Sequence, residues 1–383
     1  MTILYCLNYI SSTGGVQIVT ITKANALSKH VENNVWILAC CDDSGRSCIP
    51  ISESVGIIGI QQRDLTWRQP WVKIQQTFKL PSLIRQFREY LLQIKPDILI
   101  STGGFDRWLV PFIKGPWSTV REFHTVKDYR ERFSYTPIQK VFASIDGFLE
   151  NHFFLRRYDR IVVLTEEERA AQWRENKKKV RVIPNPIRFT DTTLSSLKNK
   201  RILACGRLCY QKNFSSLVRA IRPVFDRFPD WRLDIIGDGQ EYASLQEEIT
   251  RLSLNNHVFL RGNQANAQDW MADASIFVMT SRSEGFGLVL VEAMSCGLPP
   301  VSFACPAGPK DIISDGVDGF LVPPGDEEIL SERICALIED ESLRKKMSAA
   351  ALKKAERYRI PRITEQWMAL FEELQQEKKD SII

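Results

Sequence analysis

Ser281-Arg282-Ser283-Glu284-Gly285-Phe286-Gly287-Leu288-Val289-Leu290-Val291-Glu292-Ala293-Met294-Ser295-Cys296-Gly297 decides how this 383-residue chain is read. Ahead of it, Ser275 to Thr280 is a short apolar run of the kind that forms a buried parallel strand. Glu284 and Gly285 therefore fall in the loop where that strand ends. From Phe286 to Cys296 the apolar residues recur at helical spacing, and Gly297 supplies a stop. The amides of Phe286, Gly287 and Leu288 are then the unpaired donors of a helix start, which attracts a phosphate. Glu284 precedes the helix and Glu292 lies about two turns into it, so their carboxylates reach different parts of one ligand lying over the helix start. A carboxylate repels phosphate but accepts hydrogen bonds from sugar hydroxyls, and the pair suggests a ligand carrying both. An amphipathic helix with a surface Glu in front explains E-x7-E alone; the Gly-Phe-Gly insertion and the Gly-Leu-Pro turn favour the ligand.

Working outward, Arg201 to Cys205 is a strand followed by Gly206-Arg207-Leu208-Cys209-Tyr210-Gln211-Lys212-Asn213, with Asn213 expected to cap one helix from Phe214 to Phe228. An Arg fork and a Lys ammonium five residues apart beside a helix start can hold a diphosphate. Trp231 to Gly237 and His257 to Arg261 are further strands, the latter ending in Gly262-Asn263-Gln264. Gly319 to Val322 completes this sheet, and Pro300 is tolerable as the first residue of its strand. Two helices over 326–358 and a last amphipathic stretch after Pro361 follow.

The first half alternates in the same way. Thr2 to Tyr9 is a strand, Gly14-Gly15 a turn, and Val16 to Lys29 a helix, a second place where amides face a phosphate. Strands follow at Val35 to Cys40, Gly56 to Ile60, Pro96 to Ser101, Trp117 to Phe123, Arg160 to Thr165 and Val180 to Ile187, with a helical region Trp71 to Gln93 broken near Pro81. Strand–helix alternation predicts parallel, doubly wound sheets, whose ligands lie at the carboxyl ends of strands. His124 sits at such an edge. A domain boundary is expected near residue 190, giving 1–190, 191–360 and a final helix 361–383 that crosses back to the N-terminal domain.

Length allows two domains, and no apolar run is long enough to span a bilayer. The start lacks the basic n-region of a signal peptide, which predicts a cytoplasmic protein, in solution or peripheral on the inner membrane face. Nine cysteines without paired metal spacing read as reduced thiols, and four scattered histidines declare no metal site. The net charge of +5 conceals an asymmetry: residues 1–190 hold 27 Lys+Arg against 18 Asp+Glu. A basic first half suits an anionic membrane surface or a lipid-diphosphate acceptor, and nothing points to nucleic acid. Lys127, Arg130, Arg132, Phe133, Tyr135, Phe153, Phe154, Arg156, Arg157 and Tyr158 interleave basic and aromatic groups, as a membrane or acceptor face does; core aromatics beside solvated cations explain the same string.

In order, Gly14-Gly15, His124, Gly206-Arg207 with Lys212, and Glu284-x7-Glu292 resemble the signature of retaining glycosyltransferases of the GT-B fold, most closely glycosyltransferase family 4, over nearly the whole chain. The resemblance implies two Rossmann-like domains facing across a cleft, with transfer of a hexose or N-acetylhexosamine from a nucleotide sugar, most commonly a UDP sugar, to a lipid-linked saccharide in surface polysaccharide assembly. It assigns Arg207 and Lys212 to the leaving diphosphate, Glu292 to the ribose, Glu284 to the donor sugar and His124 to orienting that sugar. Gly262 and Asn263 would cradle the base, amides at Gly14, Gly15, Phe286, Gly287 and Leu288 would meet donor oxygens, and Gly206 would belong to the donor site as part of the Gly206-Arg207 motif. An acidic residue often follows the Gly-Gly pair in the family, where Gln17 stands here. No Asp-x-Asp motif appears, so metal-independent transfer without a cofactor is expected. A noncatalytic nucleotide-sugar-binding partner and a sugar-nucleotide epimerase are the rival readings; an NAD-dependent oxidoreductase lacks its glycine fingerprint.

Overall fold

The computed structural model describes residues 1–11, 14–41, 47, 49–60, 80–127, 136–173, 178–188 and 193–380. Among these the chain divides into two compact units, Met1–Pro186 with Ile360–Ile383, and Ile187–Arg359. The break therefore precedes the expected residue 190, and Arg188 belongs to the second unit. Arg130, Arg132, Phe133, Tyr135 and the first part of the region expected to be helical from Trp71 lie outside the described residues.

The N-terminal unit holds seven strands, β1 (Thr2–Leu7), β2 (Asn34–Ala39), β3 (Val55–Gly59), β4 (Ile98–Ser101), β5 (Ser118–Glu122), β6 (Arg160–Val163) and β7 (Val180–Val182). They are parallel in the order β3-β2-β1-β4-β5-β6-β7. Side chains alternate across a strand, so β1 feeds two cores. Ile3, Tyr5 and Leu7 face one, with Ile21 and Ala24 of the helix Gly15–Leu27 and with Ile363, Trp367 and Phe371 of the final helix Ile360–Asp380. Leu4 and Cys6 face the other, with Phe87 and Leu91 of the helix Leu80–Ile94. Pro81 stands in the first turn of that helix, where its missing N–H costs nothing, in keeping with the break expected near it; the part of the region before Leu80 lies outside the described residues.

The C-terminal unit holds six parallel strands, β8 (Arg201–Cys205), β9 (Arg232–Ile236), β10 (Val258–Leu260), β11 (Ile276–Met279), β12 (Pro300–Phe303) and β13 (Phe320–Val322), in the order β10-β9-β8-β11-β12-β13. The single helix expected from Phe214 is two, Phe214–Ala220 and Arg222–Arg227, since Pro223 has no amide to continue the first. Among the described residues the eight cysteines are thiols outside any disulfide, and no helix is long and apolar enough to cross a membrane.

Two glycines fix how closely the loops of this unit approach. A Cβ on Gly237, which has φ +135°, would lie 1.9 Å from the Gly206 carbonyl oxygen. One on Gly308 (φ +124°) would lie 2.1 Å from that of Phe286. Gly237→Ala is expected to lower the unfolding free energy by about 1–3 kcal/mol through backbone strain alone; urea unfolding of the two proteins measures it.

Candidate functional site

In each sheet the strand order reverses direction once, between β1 and β4 and between β8 and β11. Ligands of doubly wound sheets lie at such points, outside the carboxyl ends of the strands. Gly14-Gly15 follows β1, Gly206 to Lys212 follows β8 and Glu284 follows β11, at these two places, whereas His124 follows β5 and Gly262-Asn263 follows the edge strand β10.

In the C-terminal unit, β8 leads into Gly206–Asn213 and β11 into Thr280–Gly287. The two loops are stitched together. Gln211 Nε2 donates to Ser283 O at 2.8 Å, the Arg282 amide to Gln211 O at 2.8 Å, and Arg282 NH2 to Asn213 Oδ1 at 2.7 Å. Arg282 also lies over the Tyr210 ring, 4.4 Å from its centroid. Asn213 precedes the helix as expected, but it has φ +55° and its side chain makes no cap. It donates to Ser216 Oγ and accepts from Arg282, so it joins the loops instead.

Within that frame Lys212 Nζ stands 2.6 Å from Glu284 Oε1, and Ser281 Oγ donates to the same oxygen at 2.5 Å. Burial works to lower the Lys212 ammonium, but the Glu284 carboxylate beside it raises it overall, so Lys212 remains a cation across the physiological range. Its stem crosses Gly206, where a Cβ would sit 3.3 Å from Lys212 Cε. Arg207, next to Gly206, is exposed and makes no ion pair with a described residue.

The helix after Glu284 runs Leu288–Ser295, starting later than the expected Phe286. Gly287, at φ +89°, is its N-cap, and the first intrahelical bond is from the Leu290 amide to Gly287 O at 2.8 Å. The amides of Gly287, Leu288 and Val289 thus stand ahead of that bond. The Phe286 ring is buried edge-on against Tyr358, centroids 5.5 Å apart, and belongs to the core. Glu292 is buried and ion-paired with Arg188, Nε to Oε1 at 2.9 Å. Burial raises its carboxyl above the usual range, with Arg188 opposing. Gly262 (φ +66°) has open space around its Cα and accepts the Gly237 amide at 2.9 Å, and Asn263 is exposed.

In the N-terminal unit, Gly14 precedes the helix Gly15–Leu27 in extended conformation, and a Cβ on Gly15 would meet nothing within 4 Å. His124 follows β5 with Nε2 3.5 Å from Glu122 Oε2. The other oxygen of Glu122 is bonded to Lys23, a buried cation from the same helix, whose ammonium lies 4.6 Å from the Trp367 ring centroid. Burial alone would raise the Glu122 carboxyl, but Lys23, with His124, holds it down to about 2. Glu122 therefore contributes stability that is complete above its unfolded value of about 4.3 and is lost as pH falls toward about 2. Acid unfolding should accordingly be shallower for Glu122→Gln than for wild type between those limits, measured by urea midpoints at pH 5 and 3.

Arg188, Ser281, Glu122 and Lys23 escaped the sequence reading. Ser281 was readable, three residues before Glu284 in the same loop. Lys23, 99 residues from Glu122 and inside an apolar helical run, gave no signal.

The arrangement of two parallel α/β sheets has a counterpart in the Anabaena protein HepE, solved with UDP and glucose: TM-score 0.73 at 22% identity, over 97% of this chain and all of that one. The fold is GT-B. The description "Glycosyltransferase Family 4" matches residues 13–190 and "Glycosyl transferases group 1" matches 189–354. The chain belongs to the GT-B glycosyltransferases of the family 4 type. The amylovoran biosynthesis glycosyltransferase AmsD of Erwinia amylovora is 29% identical over 95% of this chain and 98% of its own length. An exopolysaccharide phosphotransferase of Streptomyces coelicolor is 36% identical over 58% of this chain, which spans 24% of that protein's length.

Proposed function

We propose that the protein is a retaining, metal-independent transferase that moves a hexose or N-acetylhexosamine from a UDP sugar to a lipid-linked saccharide in surface polysaccharide assembly, acting in the cytoplasm or on the inner membrane face. The observation that carries this reading is the Lys212–Glu284 pair, held by Ser281 at the switch point between β8 and β11. It sets a fixed cation beside a fixed hydroxyl acceptor, the two groups that a sugar diphosphate requires. HepE holds UDP and glucose, and AmsD serves polysaccharide synthesis; both support the choice of donor and pathway class.

Lys212 and Arg207 meet the charge that develops on the departing diphosphate, with the amides of Gly287 and Leu288, and of Phe286 nearby, available to phosphate oxygens; the Gly206 amide is spent on Ile236 O at 2.9 Å, so Gly206 serves by letting the Lys212 stem pass close. Glu292 accepts from the ribose hydroxyls and Glu284 from the donor sugar, while Gly262 and Asn263 offer backbone groups to the base. In the N-terminal unit the amides of Gly14 and Gly15 are assigned a phosphate oxygen and His124 the sugar. The bond from the anomeric carbon to the diphosphate oxygen breaks as the acceptor oxygen bonds to the same face. The acceptor proton passes to the departing diphosphate. Transfer from a UDP-sugar panel to extracted lipid-linked saccharides tests this reading: a product whose anomeric proton coupling matches the donor supports it, and an inverted product refutes retention.

A further inference from the structure

We propose that the helix Pro137–Leu149, with the turn Glu150–Phe154 after it, docks the N-terminal unit on an anionic bilayer surface. This names the element behind the membrane part of the reading above and rests on that part alone.

Ile138, Val141, Ile145 and Phe148 recur at helical spacing along one face, and each is between 52 and 63% exposed. Phe153, 55% exposed, and Phe112 extend the patch. The opposite face holds the helix to its unit. Ala143, Asp146 and Glu150 are buried there, and Arg107 meets Asp146 at 2.7 Å and Glu150 at 3.1 Å, while Arg121 meets Glu150 at 2.9 Å. Asp146 and Glu150 are the only carboxylates between Thr136 and Arg157. Both point inward and are neutralised, so the outward charges of this segment are the cations Lys140, Arg156 and Arg157. Arg157 also lies 5.2 Å from the Phe112 ring centroid.

An apolar stripe flanked by cations, with every acid withdrawn, complements a lipid interface whose headgroups are negative and whose acyl chains take the side chains. The helix carries a capping box, Thr136 Oγ1 accepting from the Gln139 amide and Gln139 Oε1 from the Thr136 amide, so it stands folded before any contact.

Co-sedimentation of the whole chain with phosphatidylglycerol–phosphatidylcholine vesicles and with phosphatidylcholine vesicles tests the proposal. Binding to the anionic vesicles is expected, weakened by salt and reduced at least tenfold in Ile145→Ser/Phe148→Ser; Lys140→Glu should steepen the loss. Both variants should keep wild-type nucleotide-sugar binding, which establishes that they fold. Failure of wild type to bind anionic vesicles, or equal binding by the double variant, overturns the proposal. So does a dimer in solution that the double variant dissociates, since the stripe would then be covered by a second copy. Sugar transfer to a water-soluble acceptor is read separately, so loss of docking and loss of transferase activity are told apart.

Discussion

Lys212→Ala is expected to lower kcat about 10²- to 10³-fold, the scale of removing one fixed donor from a developing negative charge. Lys212 is held on two sides, by Glu284 at 2.6 Å and by the close passage of its stem over Gly206. Its charge is therefore in place before the diphosphate departs and needs little reorganisation. Because the pair raises the ammonium above its ordinary value, kcat should show no fall from this group through neutral and mildly alkaline pH. The substitution also strands the buried Glu284 carboxylate, at a stability cost of order 3 kcal/mol for a broken buried pair. Steady-state kinetics and urea unfolding of Lys212→Ala and of Lys212→Ala/Glu284→Gln separate the effects: the double variant regains stability and keeps the kcat defect. Recovery of kcat along with stability would make Lys212 structural.

Glu292→Ala should act on binding, with donor KM raised about 10- to 100-fold, as expected when hydrogen bonds to a charged group are lost, and kcat changed less than about threefold. Arg188 holds the Glu292 carboxylate in place from 2.9 Å. Burial raises the Glu292 carboxyl, so it takes up its proton at a higher pH than an exposed glutamate. Donor KM should then rise as pH falls from neutral, before the ordinary carboxylate range is reached, and Glu292→Gln should flatten that rise. Donor KM profiles of the three proteins over pH 5 to 8 decide the point.

The two parallel sheets were legible because apolar runs bounded by glycine and proline recur along the chain, and Arg201–Cys205 appears as a strand with the very bounds expected. Local backbone geometry was less legible. The left-handed conformation of Asn213 follows from the contacts it makes with a loop 69 residues away, which no cap preference encodes. The late helix start has a similar origin: the Phe286 carbonyl lies against Gly308, and Gly287 at φ +89° is the N-cap before Leu288 enters the helix. Glu284 and Glu292 were found by spacing, but the cations that hold them come from elsewhere in the chain. Lys212 was picked out beside Arg207 for a phosphate, which gave no hint of its pairing with Glu284, and Arg188 stood in a linker where nothing marked it.

The most direct measurement is acceptor-dependent nucleotide release from a panel of nucleotide sugars, with and without extracted lipid-linked saccharides, for wild type, Lys212→Ala and Glu292→Ala. Release of UDP from one donor only when acceptor is present, lost with Lys212→Ala and restored by excess donor in Glu292→Ala, is the predicted result. Tight binding of a UDP sugar with no release for any acceptor, or its conversion to an epimer without acceptor, would contradict transfer as the function of this site.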